Sequence, residues 1–301
     1  MYPVMRARWL IIVLLFPLTL QAKHFFEIGL HGGLGAWDAQ TTYVNSYIGY
    51  NAGAHIYYAY QSPYVIGLRT GLVLDHHNAG FGKTNYEDTY TTIDVEDQQM
   101  QIDYTIGTLT ERSKIWSVGI PLQLSLTGWN CTLLAGAKAV LPLTATWHQK
   151  AENAALSVYY PAYDNRVYEA FPLAASRHFE MANDGNWTMP AVQWWIATEL
   201  NYAITIHKAD RHVSYIVVGV YFDYCLSKLT PAQSDAQSLI TLTDTRDGFP
   251  LSRILTPVIE ATRQDAKLVH TCALFDLGIK LSYAISPYSP SRKSTSACRC
   301  W

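Results

Sequence analysis

Three places in this 301-residue chain hold residue types that could do chemistry. Gly80-Phe81-Gly82-Lys83-Thr84 carries the glycine, lysine and threonine of a phosphate-binding loop. Such a loop needs a further glycine five residues before Gly82, so that backbone N–H groups can cradle phosphate, and His77 stands there. The run is therefore read as a surface turn. Asp75-His76-His77 offers metal-ligand types. Adjacent strand residues point to opposite faces, however, so the three cannot converge on one ion. They read as polar residues at a strand end, and no metal site or cofactor is expected. His148, Asp223 and Ser227 could supply the base, carboxylate and nucleophile of a barrel enzyme acting on membrane lipid. Nucleophilic catalysis needs those groups at hydrogen-bonding distance, and no local spacing enforces it, so no catalytic residue is assigned.

The other charged residues acquire meaning only through the elements that position them. In 273–285 the odd positions Ala273, Phe275, Leu277, Ile279, Leu281, Tyr283 and Ile285 are all apolar. The even positions are mostly small or polar, among them Asp276, Gly278, Lys280 and Ser282. A strand alternates its side chains between two faces, so this one has a greasy face and a wet face, over a length that suits a tilted membrane crossing. Seven more segments repeat the pattern, beginning near Phe26, Ile48, Tyr64, Trp116, Leu133, Val192 and Ile216. The polar faces are rich in glycine and small residues rather than in the charges a water-facing surface would carry. The expected fold is all-β: an eight-stranded, up-and-down antiparallel transmembrane β-barrel with its apolar face outward.

Connection lengths point the same way. Short turns are expected near Pro63, Trp129 and 208–212, and long connections at 38–45, 76–114, 149–190 and 227–271. Short turns at one end and long loops at the other is the layout of bacterial outer-membrane barrels, with the long loops outside the cell. The extracellular segments would include 86–109, 154–184 and 235–267. Part of the second long connection, 99–109, alternates and is expected to continue its hairpin beyond the membrane. Residues 1–22 read as a secretory signal peptide, with Arg6 and Arg8 ahead of a short apolar run and Ala22 at the cleavage point. Residues 23–286 would form the barrel and 287–301 a C-terminal tail. Charged residues make up 15% of the chain, and removing Arg6 and Arg8 from the 22 basic residues leaves 20 against 24 acidic ones. Such a balance excludes a basic nucleic-acid-binding surface.

Several of these segments carry a resemblance. Glu27-Ile28-Gly29-Leu30-His31-Gly32-Gly33, Gly67-Leu68-Arg69-Thr70-Gly71-Leu72, Gly119-Ile120-Pro121-Leu122-Gln123-Leu124 and Asp276-Leu277-Gly278-Ile279-Lys280-Leu281 resemble strands of the outer-membrane β-barrel proteins of Bacteroidetes. That broad group includes PorT-like, secretion-associated barrels. The resemblance implies the fold and a bacterial outer-membrane location, with membrane lipid and the barrel-assembly machinery as partners. It implies no shared activity, and the tail 287–301 departs from barrels that end at an aromatic residue in the last strand.

Alternation assigns roles to individual residues. Two aromatic girdles are expected: Trp116, Trp147 and Trp194 at the outer interface, and Tyr58, Tyr60, Tyr64, Tyr202 and Tyr283 at the inner one. Glu27, Arg69, Lys138, Glu199, Asp276 and Lys280 face the lumen and are expected to form a cross-barrel ion-pair network, because eight strands leave room only for side chains. Cys225 and Cys272 also face inward, in a register that would let them form a disulfide. The function expected is that of a plugged outer-membrane barrel with a structural role, a surface-recognition role, or both, through tyrosine-rich loops and an unidentified surface ligand or envelope protein. A lipid-modifying enzyme and a narrow channel or secretion-associated barrel are the alternatives.

Overall fold

The computed structural model describes residues 23–62, 65–93, 97–167, 178–209, 212–227, 237–243, 252–263 and 266–287. The expected signal segment, Tyr64, Tyr168, Cys298 and Cys300 lie outside these residues, as does the tail beyond Pro287. Eight long strands dominate: β1 Lys23–Thr41, β2 Asn45–Gln61, β3 Ile66–Ile93, β4 Gln99–Gly128, β5 Cys131–Tyr160, β6 Gln193–Lys208, β7 His212–Cys225 and β8 Val269–Pro287. Each pairs antiparallel with its neighbours in sequence, and β8 pairs with β1 from Phe26↔Ile285 to Thr41↔Val269, which closes the ring. The fold is an all-β, antiparallel ring of eight strands. Among the described residues no helix is long and apolar enough to cross a membrane.

The alternation in the sequence becomes two surfaces. Outside lie Ile28, Leu30, Ile56, Leu72, Leu122, Leu124, Leu200, Val220, Leu277 and Ile279, all exposed. On β4 this apolar series runs from Trp116 to Leu126. Ten residue steps of ~3.4 Å, tilted by roughly 40°, give a belt about 26 Å tall. The turn from β4 to β5 is a two-residue hairpin, Trp129 and Asn130, with φ of 49° and 65°. Both residues then have the left-handed backbone that a type I′ turn demands. Trp116, Trp194, Tyr58, Tyr202 and Tyr283 face outward as expected.

Trp147 does not. Trp116 pairs with Thr144 and Ser117 with Pro142, leaving Leu143 as an extra, unpaired residue. Pro142 has no N–H to give the ladder, which suits a bulge at this point. One extra residue reverses which face the side chains just after it take. Beyond Leu143, Trp147 therefore points inward at 8% exposure, while His148 points out.

The long connections also differ from expectation. The first is short, since β1 runs to Thr41 and β2 starts at Asn45. The second is no loop, because β3 and β4 stay paired up to Ile93↔Gln99. Gly80 to Thr84 is thus strand rather than turn, and Phe81 is fully buried. β5 continues to Tyr160 and is flanked there by the short strands Asn165–Val167 and Phe179–Asn186.

Above the belt the inward faces become apolar, and segments from the last long connection fold into the space. Leu239, Ile240, Leu255, Val258, Ala261 and Leu268 pack with Phe81, Ile106, Leu109, Val140 and Trp195 in one buried cluster. Trp37 is sandwiched between Phe81 (6.1 Å between ring centres) and Trp187 (5.7 Å). The described part of this connection forms an apolar cap over the lumen.

Candidate functional site

The lumen below the cap is built by residues spaced two apart on eight strands. The tier nearer the short turns holds Glu27 from β1, Tyr57 from β2, Arg69 from β3, Gln123 from β4, Glu199 from β6 and Lys280 from β8. Arg69 donates through Nη2 to a Glu199 carboxylate oxygen and to Gln123 Oε1 (2.6 Å). Its Nη1 lies 3.8 Å from Glu27. Lys280 Nζ bridges Glu199 and Glu27, at 3.1 Å from the latter. The Tyr57 ring lies beneath the Arg69 guanidinium at 4.1 Å, which adds a cation–π contact.

A second tier lies closer to the cap. Lys138 pairs with Asp223 and reaches Asp75 at 3.4 Å, above the Trp195 ring. His31 Nε2 sits 2.6 Å from Asp75, and His77 Nδ1 sits 3.0 Å from Asp276. His55 joins the tiers, with Nε2 at 2.9 Å from Ser282 Oγ and 3.5 Å from Glu27. Close backbone approach makes this possible: a Cβ on Gly53 would lie 2.5 Å from the His31 ring. A cavity of about 20 Å³ separates the tiers, lined by Tyr57, Gln123, Lys138, Glu199, Tyr221 and Lys280 among others. That is the room one water molecule takes.

All six residues expected in the lumen network are there and buried. Glu27, Arg69, Glu199 and Lys280 make one cluster, whereas Lys138 belongs to Asp75 and Asp223, and Asp276 to His77. His77 was expected at a surface strand end. It is buried because β3 continues past it, and only its alternation with Asp75 pointed there. Tyr57, central to the lower tier, was missed because its aromatic ring resembles those on the outer face.

The two inward cysteines do not form the expected disulfide. Phe275 pairs with Tyr224 and Val213 with Ser286, a register two residues away from one that sets Cys225 against Cys272. Cys225 Sγ contacts the Ser227 carbonyl oxygen at 3.3 Å instead. His148, Asp223 and Ser227 do not assemble either: His148 is exposed outside, Asp223 is tied to Lys138 in the lumen, and Ser227 accepts the Trp194 N–H at 2.8 Å. Among the described residues no three His, Cys, Asp or Glu side chains form a metal site.

The cap is held by polar contacts at its core. Asp88 on β3 accepts hydrogen bonds from Tyr104 and Ser238, each at 3.0 Å. Glu111 on β4, beyond the belt, is fully buried and accepts the Val258 N–H at 2.7 Å. Its second oxygen has no hydrogen-bond partner among the described residues. Burial pushes the Glu111 carboxyl up to about 8, with nearby Glu260 adding to the rise and the Val258 N–H opposing it.

No family model matches this chain, and no curated protein does. Among solved structures, a similar chain is Ail, the attachment invasion locus protein of Yersinia pestis, determined in complex with the heparin analogue sucrose octasulfate. The identity is 8% over 87% of this chain and 99% of that one, with a TM-score of 0.27.

Two expectations follow from this geometry. Removing one partner from a buried ion pair leaves the other charge uncompensated, at a cost of about 3–5 kcal/mol. Lys138→Ala and Glu199→Ala should each lower unfolding stability by that order, and by more than outward-facing Leu124→Ala, in denaturant titrations of the barrel in lipid vesicles. Glu111 sets a pH dependence. Its folded carboxyl holds its proton more tightly than the unfolded one, so its contribution to cap docking is complete below about 4.5 and is lost as pH rises through about 8. Amide exchange at Val258 should accelerate from pH 5 to pH 9 beyond the intrinsic effect of pH, and Glu111→Gln should abolish the excess.

Proposed function

We propose that this chain is an integral outer-membrane β-barrel with a sealed lumen, which displays a folded platform at the cell surface. The observation that carries this reading is the inversion of surface and interior. An apolar belt encircles the ring, while five carboxylates and three permanent cations lie inside it. Water would favour the opposite arrangement; a bilayer favours this one, since backbone polar groups in the crossing segments pair around a closed ring. The belt height matches the apolar band of such barrels. Outer-membrane lipid is then the partner of the belt, and the barrel-assembly machinery the route of insertion.

The interior supports a sealed barrel over a channel. Ion pairs span the lumen in two tiers, and the apolar cap lies above them. Recognition falls to the outer surface of the cap and the extended β3–β4–β5 sheet, where Tyr163 is exposed beside the Tyr159–Asp164 hydrogen bond of 2.9 Å. Aromatic, hydrogen-bonding residues on a rigid support suit binding of a surface ligand or envelope protein.

Both parts are tested together. Tags at Asn165 and at Asn130 should separate on intact cells, only the former being labelled. The purified protein in planar bilayers should give no stable conductance. Labelling at Asn130 alone would invert the topology, and large, long-lived conductance steps would replace the sealed barrel with a pore.

A further inference from the structure

The outward face of the ring is charged unevenly just above its apolar belt. Arg112 and Lys114 on β4 are exposed, while Glu111, Ser113 and Ile115 beside them are buried, so both cations point away from the lumen. Trp116 follows on the same outward face, at the top of the belt. On β5 the bulge at Leu143 turns His148 outward, in register with Arg112. On the far side of the ring β1 carries an exposed Asp38 instead, which accepts the Tyr224 hydroxyl at 2.8 Å.

The three donors lie close together. Side chains directly opposed on antiparallel strands have Cβ atoms about 5 Å apart, and residues two apart on one strand are separated by roughly 7 Å. Arg112 and His148 are opposed, and Lys114 stands two positions nearer the belt. Their neighbours in register are uncharged: Asn78 and Gly80 on β3, and Thr146 on β5. Asp184, paired with His148 from the strand beyond, bounds the patch on that side. Among the described residues neither Arg112 nor Lys114 forms an ion pair with a carboxylate. Lys150, two positions above His148, differs in being held by Glu152 at 2.6 Å and Glu180 at 3.7 Å.

Their height is that of lipid headgroups. Along a strand tilted by roughly 40°, Lys114 rises about 5 Å and Arg112 about 10 Å above Trp116. The polar layer of a bilayer occupies roughly 5–8 Å beyond the hydrocarbon on each side. His76 packs against Trp116, 4.7 Å between ring centres, and Tyr50, 5.7 Å, which sets amphipathic rings at that boundary. The stems of Arg112 and Lys114 can lie along apolar surface and carry their charges up to a phosphate. His148 supplies a ring N–H in any protonation state.

We propose that Arg112, Lys114 and His148 hold the phosphomonoester headgroup of an anionic lipid in the outer leaflet, whose acyl chains lie along the belt below Trp116. The site rests on the reading of the ring as an outer-membrane barrel and specifies the lipid class it selects. A phosphomonoester carries about 1.5 to 2 negative charges at neutral pH, which two permanent cations match. The Arg112 fork can engage two of its oxygens while Lys114 adds a point charge. A phosphodiester, with one negative charge, leaves one cation unmatched.

Native mass spectrometry of the full chain in neutral detergent, titrated with phosphatidic acid, phosphatidylglycerol and phosphatidylcholine, reads the preference and its stoichiometry. One phosphatidic acid should be held about tenfold or more tighter than phosphatidylcholine, as a single charge-assisted hydrogen bond can achieve, with phosphatidylglycerol between them. The Arg112→Gln/Lys114→Gln double variant should lose that preference, whereas Lys150→Gln, whose cation is already paired, should keep it. Equal retention of the three lipids by the wild type would overturn the proposal, as would a double variant that still prefers phosphatidic acid. Displacement of the lipid by equimolar inorganic phosphate would also overturn it, since the site would then select a soluble anion. A wild type that retains no lipid of any kind would contradict the outer-membrane reading itself, an outcome distinct from equal retention of all three.

Discussion

The structure depends on keeping each charge paired inside a ring too narrow for bulk water. Eight strands enclose only enough space for side chains. Once Glu199 faces that space it must meet a cation, and Arg69 and Lys280 reach it from strands on opposite sides of the lumen. Such contacts cross the ring rather than follow it, so they fix the relative heights of strands that share no backbone hydrogen bond. The charged tiers therefore do for this barrel what an apolar core does for a water-soluble domain. The difference is that each misplaced residue strands a charge instead of leaving a void.

The apolar belt and the cap follow from the same alternation, which the extra residue Leu143 interrupts on β5. Below Leu143 the inward positions of β5 include Lys138; above it the inward positions are Ala145, Trp147, Gln149 and Ala151. The bulge coincides with the change from a charged interior to an apolar one. At that height Trp37, Phe81 and Trp187 stack, and Leu239, Leu255 and Val258 descend from the last long connection to complete the core. Glu111 is sealed in that core with the Val258 N–H as its hydrogen-bond partner, which couples cap docking to pH.

Much of this was legible in the sequence, because a period of two is a local property. It located the eight strands and placed Glu27, Arg69, Lys138, Glu199, Asp276 and Lys280 inside. Parity fails wherever a residue is inserted: Pro142, which cannot donate to the ladder, was a local sign of a bulge, but alternation alone set Trp147 on the wrong face. Register is also a pairwise property: both cysteines were correctly inward, yet a shift of two residues between β7 and β8 separates them. The cap was the least legible part. Its core draws on Trp37, Phe81, Ile106, Leu239 and Leu268, scattered over four connected regions with no common period. The histidine contacts lay between these extremes, since alternation sets His31 on the same face as Glu27 without showing which carboxylate it meets.

The central claim is that the apolar face meets lipid while the charged face is sealed within. Adjacent tryptophans on β6 test it within a single step of the alternation: Trp194 faces out and Trp195 is buried inside. Single-tryptophan variants reconstituted in vesicles containing brominated lipid would report contact with acyl chains through fluorescence quenching. Strong quenching of Trp194, with Trp195 unaffected, is the expected result. Equal quenching of both, or quenching of Trp195 alone, would contradict it.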